Sequence, residues 1–385
     1  MTSGKNCDKE VSSVKKRFLP FFLASLLLSM AFTGCSTQKE PATGSSENPD
    51  QTSYNGNPSG TDFEKSDDST GSGNDSTNSD VDNSTPSVEQ MDSGADVPIV
   101  YMTADISPAG IMEVYEALGW KPTGKVAVKL STGEPPASNY LRPELIKDVV
   151  GAVNGTIVEC NTAYGGSRSE TAMHYQVAED HGFTEIADFQ ILDEDGSMTL
   201  PVEGGSVLTE NYVGAAFADY DSYLVLSHFK GHSMAGYGGA IKNISIGLAS
   251  SEGKAWIHSG GTGGSMWGGE QDAFLEAMAE AGKSVSDYLG NGEQIVYVNV
   301  MNRLSVDCDC DGNPAEPDMH DIGILASTDP VALDQACIDL VYAQKDGDGA
   351  SLVQRIESRN GLHTLEHAEE IGLGSRAYTL VNIDE

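Results

Sequence analysis

The run Tyr223-Leu-Val-Leu-Ser-His228 restricts the fold more than any other segment. Its apolar residues are successive rather than alternate, so a strand made from it must be covered on both faces, as in a parallel sheet. The sequence around it supplies partners. Lys125–Leu130, Thr156–Cys160, Ile186–Leu192, Gln294–Val300, Ile322–Ala326 and Tyr378–Ile383 also read as strands. Between them, Pro143–Val153 reads as a helix, with Leu145, Ile146, Val149, Val150 and Val153 on one face and Pro143 in its first turn. Ser169–His181, Ala240–Ala249, Gln271–Leu289 and Pro330–Ala343 read as helices, followed by shorter ones over Ser351–Ser358 and His363–Ile371. Strands alternating with helices predict an α/β fold, a largely parallel sheet flanked by helices.

Three regions divide the chain. Residues 1–34 read as a lipoprotein signal peptide: Lys15-Lys16-Arg17, then an apolar stretch from Phe18 to Phe32, then Thr33-Gly34-Cys35. Such a stretch is short for a membrane span and suits a secretory leader. The Phe32-Thr33-Gly34-Cys35 sequence resembles a bacterial lipobox, which implies cleavage before Cys35 and a lipid on its sulfur. A lipid chain contributes roughly 0.8 kcal/mol of membrane affinity per buried methylene. Residues 35–96 are rich in Ser, Thr, Asn, Asp and Gly and read as a disordered acidic tether, too poor in apolar side chains to offset ordering entropy. Residues 97–385 form the α/β domain. The expected address is the outer face of the cell membrane, reached through the lipid anchor.

The net charge of −36 excludes nucleic acid as a partner, since phosphate binding needs a basic footprint. It also excludes electrostatic docking on anionic lipid. Against that background the cluster from His228 to His258 is informative. Three histidines (His228, His232, His258) and two lysines (Lys230, Lys242) surround glycines 236, 238 and 239, just past the end of the buried strand. Ligands of open α/β sheets bind at that edge. The glycines admit a close backbone approach, and the following helix offers free N–H groups to an anion. His232 is a candidate general base or acid, and Lys242 a candidate catalytic amine or anion contact. Arg142 and Arg168 are candidates to hold a carboxylate or phosphate, with Lys230 and Asn243 beside them.

Five motifs stand out across residues 97–385: Asn139-Tyr-Leu-Arg-Pro143, Tyr164-Gly-Gly-Ser-Arg168, Lys230-Gly-His232 through Lys242-Asn243, Asp307-Cys-Asp-Cys-Asp-Gly312 and Asp321 to Asp334. By these motifs the region resembles the family known as domain of unknown function 362. A more distant likeness is to the N-terminal domain of lactate racemase and its nickel-pincer relatives. In those proteins a His precedes a Gly-rich turn and a cofactor-bearing Lys, and a nickel-ligating His follows. Here Lys242 comes ten residues after His232, and His258 sixteen residues after Lys242. The likeness implies that His258 ligates a metal and that Asn139 and Arg142 lie near a cofactor. Ser167 takes the place of that family's second catalytic His, leaving His174 as the nearest replacement. Racemisation needs a base on each face of the substrate, so this match lacks one of the two.

Asp307-Cys308-Asp309-Cys310-Asp311-Gly312 admits three readings. Cys308 and Cys310 could ligate iron or zinc with a His from elsewhere. The stretch could be an acidic turn whose cysteines are inert or pair elsewhere, as an even count of core cysteines outside the cytoplasm permits. Alternatively, the carboxylates could open a calcium loop with Asp318 in twelfth place. Farther back, the glycine-rich stretch 260–269 carries Met266 and Trp267 and could close over a ligand. The leading functional expectation is an enzyme of metal-dependent proton or hydride transfer on a small organic acid, the metal being iron, zinc or nickel. The alternative is a non-enzymatic lipoprotein that binds a metal, an iron–sulfur cluster or a solute.

Overall fold

The computed structural model describes residues 97–345 and 347–384. The stretches read as a signal peptide and a tether, with Cys35, lie outside the described residues.

An eight-stranded sheet forms the centre. Its strands are β1 (Ile99–Thr103), β2 (Val126–Lys129), β3 (Thr156–Glu159), β4 (Phe189–Ile191), β7 (Ser222–His228), β10 (Ile295–Met301), β11 (Gly323–Ser327) and β12 (Thr379–Asn382). Their order across the sheet is β12-β1-β11-β10-β7-β2-β3-β4. Within this sheet every pairing is parallel except the two made by β11. The α/β expectation therefore holds, and β7 lies between β10 and β2 near the middle.

The continuous apolar character of β7 has a direct cause. Leu224 and Leu226 face a core completed by α1 (Pro108–Ala117) and α2 (Pro143–Ala152), through Ile111, Val114, Ile146 and Val149. Tyr223 and Val225 face the opposite core, completed by α4 (Ala240–Ser245), α6 (Gln271–Tyr288) and α7 (Pro330–Tyr342). Both faces are dry, so the strand is apolar between Ser222 and Ser227. Local signals set the helix starts. Pro143 opens α2. Asp329 caps α7 by accepting from Val331 N at 2.8 Å and Ala332 N at 2.9 Å.

Several boundaries differ from the sequence reading. The helix expected over 240–249 stops at Ser245. A β-carbon at Gly247 would lie 2.1 Å from Asn243 O and 2.9 Å from Lys129 Nζ, so the chain turns there against the sheet edge on a residue without a side chain. The strand expected over 186–192 shrinks to β4, preceded by a single tight turn at Phe183–Glu185. Four features carried too little periodicity to be read: β1 with α1, the hairpin of β5 (Ser197–Pro201) and β6 (Glu210–Gly214), that of β8 (Lys230–His232) and β9 (Gly236–Gly238), and α5 (Ser251–His258).

Candidate functional site

Strands β2, β3 and β7 end on polar residues at one edge: Lys129, Glu159 and His228. The register pairs Lys129 with Val158 on one side and Val225 on the other, so Glu159 ends one residue and His228 three residues beyond Lys129. The β8–β9 hairpin, α4 and α5 rise beyond them and border a half-open cavity of about 160 Å³. Met266 and Trp267 form part of its wall, and Trp267 is 66% exposed.

The cavity is cationic in an acidic protein. Fifteen lysines and arginines lie beyond residue 96, against 43 aspartates and glutamates. Five of those cations, Lys129, Arg168, Lys230, Lys242 and Lys254, line this cavity, with only Glu159 and Asp309 as lining carboxylates. Glu159 anchors one wall. Its carboxylate lies 3.0 Å from Lys129 Nζ and 3.5 Å from Arg168 Nη1, and accepts from Thr132 N at 3.0 Å. These partners hold Glu159 down to about 2 despite its burial. Lys129 also donates to Asn243 Oδ1 at 3.0 Å and to the Leu130 carbonyl. Arg168 is further committed to Glu134 at 3.1 Å, Ser131 Oγ at 3.1 Å and Tyr164 OH at 2.8 Å. On the other wall Lys230 pairs with Asp309 Oδ2 at 2.9 Å.

Two cations remain without a carboxylate partner among the described residues. Lys254 Nζ donates only to the Ala249 carbonyl, at 2.6 Å. Lys242 has no hydrogen-bond partner among the described residues. Burial, with Lys230 and Lys254 nearby, lowers its amine to about 7. Such an amine gains from any anion that enters.

The three histidines differ by tautomer, which their partners assign. His228 is clamped between Asp309 Oδ1 at 2.8 Å and the Asn302 carbonyl at 2.7 Å, and so orients Asp309. His232 Nδ1 accepts from Met234 N at 3.2 Å and Ala235 N at 3.0 Å, which leaves the ring proton on Nε2. His258 is the reverse. Its Nδ1–H donates to Lys254 O at 2.7 Å, which leaves a lone pair on Nε2. Phe274 stacks on that ring with centroids 4.8 Å apart. Burial and neighbouring lysines hold both rings neutral, His258 at about 4 and His232 well below its usual value. The cavity thus presents one imidazole donor and one imidazole acceptor.

Cys308 and Cys310 form a disulfide in the cavity wall. A ring nitrogen of His232 lies within 4.8 Å of both sulfurs. These three residues could hold a soft metal ion only with the pair reduced, because a disulfide offers no thiolate.

Of the residues singled out in the sequence, the fold brings His232, Lys242, His258, Lys230, Asn243, Arg168, Cys308 and Cys310 to one cavity. Some do other work than expected. Arg168 is spent on the protein's own carboxylates, and Asn243 on Lys129, Leu226 O and Ser227 Oγ. Arg142 is not in the wall: it is exposed, stacked on Tyr140 at 3.9 Å and bonded to Ser138 O. Asn139 is buried away from the cavity, before α2. His174 does not replace the missing base. It is fully buried between Thr132 and Asn161, which hold its ring 3.0 and 3.3 Å away. The helix N-terminus expected to receive an anion is already filled, as the Asp334 carboxylate accepts from Ala240 N at 2.7 Å and Ile241 N at 3.0 Å. The calcium reading also falls. Asp309 turns to His228 and Lys230, Asp307 to Ala315 N, and Asp318 to Ser351. Lys129, Glu159 and Lys254 escaped the sequence reading. The only trace of the first two is a charged residue closing an otherwise apolar strand.

A family model described as domain of unknown function (DUF362) matches residues 126–339. No curated protein matches the chain. Among solved structures, the lactate racemase apoprotein from Thermoanaerobacterium thermosaccharolyticum is similar at 11% identity and a TM-score of 0.37, over 75% of this chain and 88% of that one. A Thermotoga maritima protein from the Northeast Structural Genomics Consortium is similar at 11% identity and a TM-score of 0.33, over 68% of this chain and 58% of that one. Likenesses this weak carry no argument about the site.

Proposed function

This chain belongs to the DUF362 family, and we propose that it binds a small organic acid in the cationic cavity and moves a proton on it. The observation that carries this reading is the gathering of five cations around one cavity, two of them without a carboxylate partner. Lys242 and Lys254 hold the carboxylate. His258 Nε2 accepts the proton, and the Nε2–H of His232 donates to the oxygen on which charge develops. Burial first, and then the charges of Lys242 and Lys254, hold His258 low; a bound carboxylate offsets the part that the two lysines contribute.

Calorimetry with small mono- and dicarboxylic acids tests the binding step. Lys242→Met should weaken the best acid by roughly 10- to 150-fold, the equivalent of about 1.5–3 kcal/mol for a charged hydrogen bond. It should leave the fold intact, since the ammonium has no carboxylate partner to strand. Binding should also depend on pH with a definite sign. The amine that titrates near 7 is charged below that value, so affinity is full there and falls as pH rises. The limit is about tenfold per pH unit, because one pKa unit is worth about 1.4 kcal/mol. Affinity that is flat from pH 6 to 8, and equal in the variant, would remove Lys242 from the site. Binding without any proton exchange on the acid would favour a solute-binding lipoprotein.

The lipobox-like sequence adds a location, with the cavity outside the cytoplasm on a lipid-anchored tether. Cys35→Ala should move the protein from the membrane fraction to the soluble one. Retention of the variant, with no lipid mass on the wild type, would refute the anchor.

A further inference from the structure

We propose that the Cys308–Cys310 disulfide is exchange-active, and that the cavity delivers to it a small thiol that carries an anionic group. This rests on the reading of the cavity as an anion site and adds a second chemistry to it. The disulfide is part of the cavity wall rather than a staple between distant elements, for its cysteines are two residues apart. The two sulfurs are not equivalent. Cys310 is partly exposed, whereas Cys308 is 7% exposed, so an entering sulfur meets Cys310 first.

The surroundings suit both the incoming and the departing thiolate. Lys230 offsets the charge of Asp309, the residue between the two cysteines, and Lys242, without a carboxylate partner among the described residues, borders the same space. Positive charge near a sulfur favours its thiolate form. Cys308 Sγ already accepts from Cys310 N at 3.3 Å, and a His232 ring nitrogen is within 4.8 Å. Charge that appears on Cys308 therefore has a donor in place. The other thiol in the wall does not compete. Cys160 donates to Leu248 O at 3.3 Å, and burial pushes it up to about 12. Cys337 is fully buried.

The exchange balances as follows. The ligand thiolate attacks Cys310 Sγ, the bond between Cys310 and Cys308 breaks, and Cys308 leaves as a thiolate. A second thiolate attacks the ligand sulfur of the mixed disulfide and releases Cys310 as a thiolate. Two thiols become one small disulfide, the protein disulfide becomes a dithiol, and the two thiol protons pass to the cysteines or to solvent.

The test follows reduction of this disulfide in the whole protein, by acid quench, alkylation and peptide mass. The thiols are 2-mercaptoethanesulfonate, 2-mercaptoethanol and cysteamine, at matched thiolate concentration. The anionic thiol should react at least roughly tenfold faster than the neutral one, with the cationic thiol slowest, in line with steering by a charged cleft. High salt should compress that order, and Lys242→Met should reduce it. Rates that follow the order of a short Cys-Asp-Cys peptide, or a disulfide that none of the thiols opens, would overturn the proposal. Calorimetry with ethanesulfonate, which has no thiol, separates the two claims. Binding without an anionic preference in exchange sinks the exchange chemistry alone. Absence of both sinks the anion cavity with it.

Discussion

Glu159→Gln should lower the folding stability of this protein by about 3–5 kcal/mol, the usual loss when one partner of a buried ion cluster is removed. Glu159 is 4% exposed and faces Lys129 and Arg168, which are 1% and 4% exposed. The glutamine keeps the shape but leaves both cations facing a neutral amide. Arg168 retains Glu134, so the larger burden falls on Lys129, whose other acceptors are Asn243 Oδ1 and a carbonyl. Denaturant unfolding of the two proteins measures the difference. The pH dependence provides an independent check. The carboxylate sits at about 2 in the folded state, against a reference of 4.5. Its contribution is therefore complete above pH 4.5 and disappears as pH falls through 2. The variant should lose that part of the acid dependence. A loss below about 1 kcal/mol, with an unchanged acid limb, would mean that the charges in this wall are solvated.

His258→Gln should slow proton exchange on a bound organic acid by a factor of about 10²–10⁴, the usual contribution of a positioned general base. The amide can keep the stack on Phe274 but offers no basic nitrogen. The affinity should change little, because the carboxylate is held by Lys242 and Lys254. Incorporation of solvent deuterium into the acid, with calorimetry alongside, separates the rate from the affinity. His232→Gln provides the contrast. An amide N–H can stand in for an imidazole N–H as donor, so that variant should retain more activity. Equal losses at both positions would contradict the assignment of donor and acceptor by tautomer.

The secondary structure at the centre was largely legible, and the reason is local. β7 is apolar from Tyr223 to Leu226 because both of its faces are dry, and a run without alternation already states that. α2 and α7 carry proline at their start and apolar residues at helical spacing. The His232–Lys242–His258 cluster was legible because it follows directly after such a strand. Residue 142 shows where such reading ends. Its motif suggested a ligand contact, yet its guanidinium lies on Tyr140 outside the cavity, and nothing in the local sequence reports which way a side chain at a helix start will turn.

What the sequence by itself determined is the α/β alternation, the polar cluster at a strand end and the acidity that makes any cationic site conspicuous. These follow from periodicity and composition, which are properties of neighbouring residues. Only the tertiary structure decided that Lys129, Glu159 and Arg168 form one buried cluster, that Asp334 fills the helix end meant for an anion, and that His232 and His258 expose opposite tautomers. Each depends on which partner occupies a hydrogen bond, and those partners lie on segments far apart in the chain or on backbone groups whose direction only the folded turn sets. Glu159 and Lys129 are 30 residues apart, and Asp334 and Ala240 are 94 apart. Parallel strands place such residues side by side because each crossover returns the chain to the same edge of the sheet.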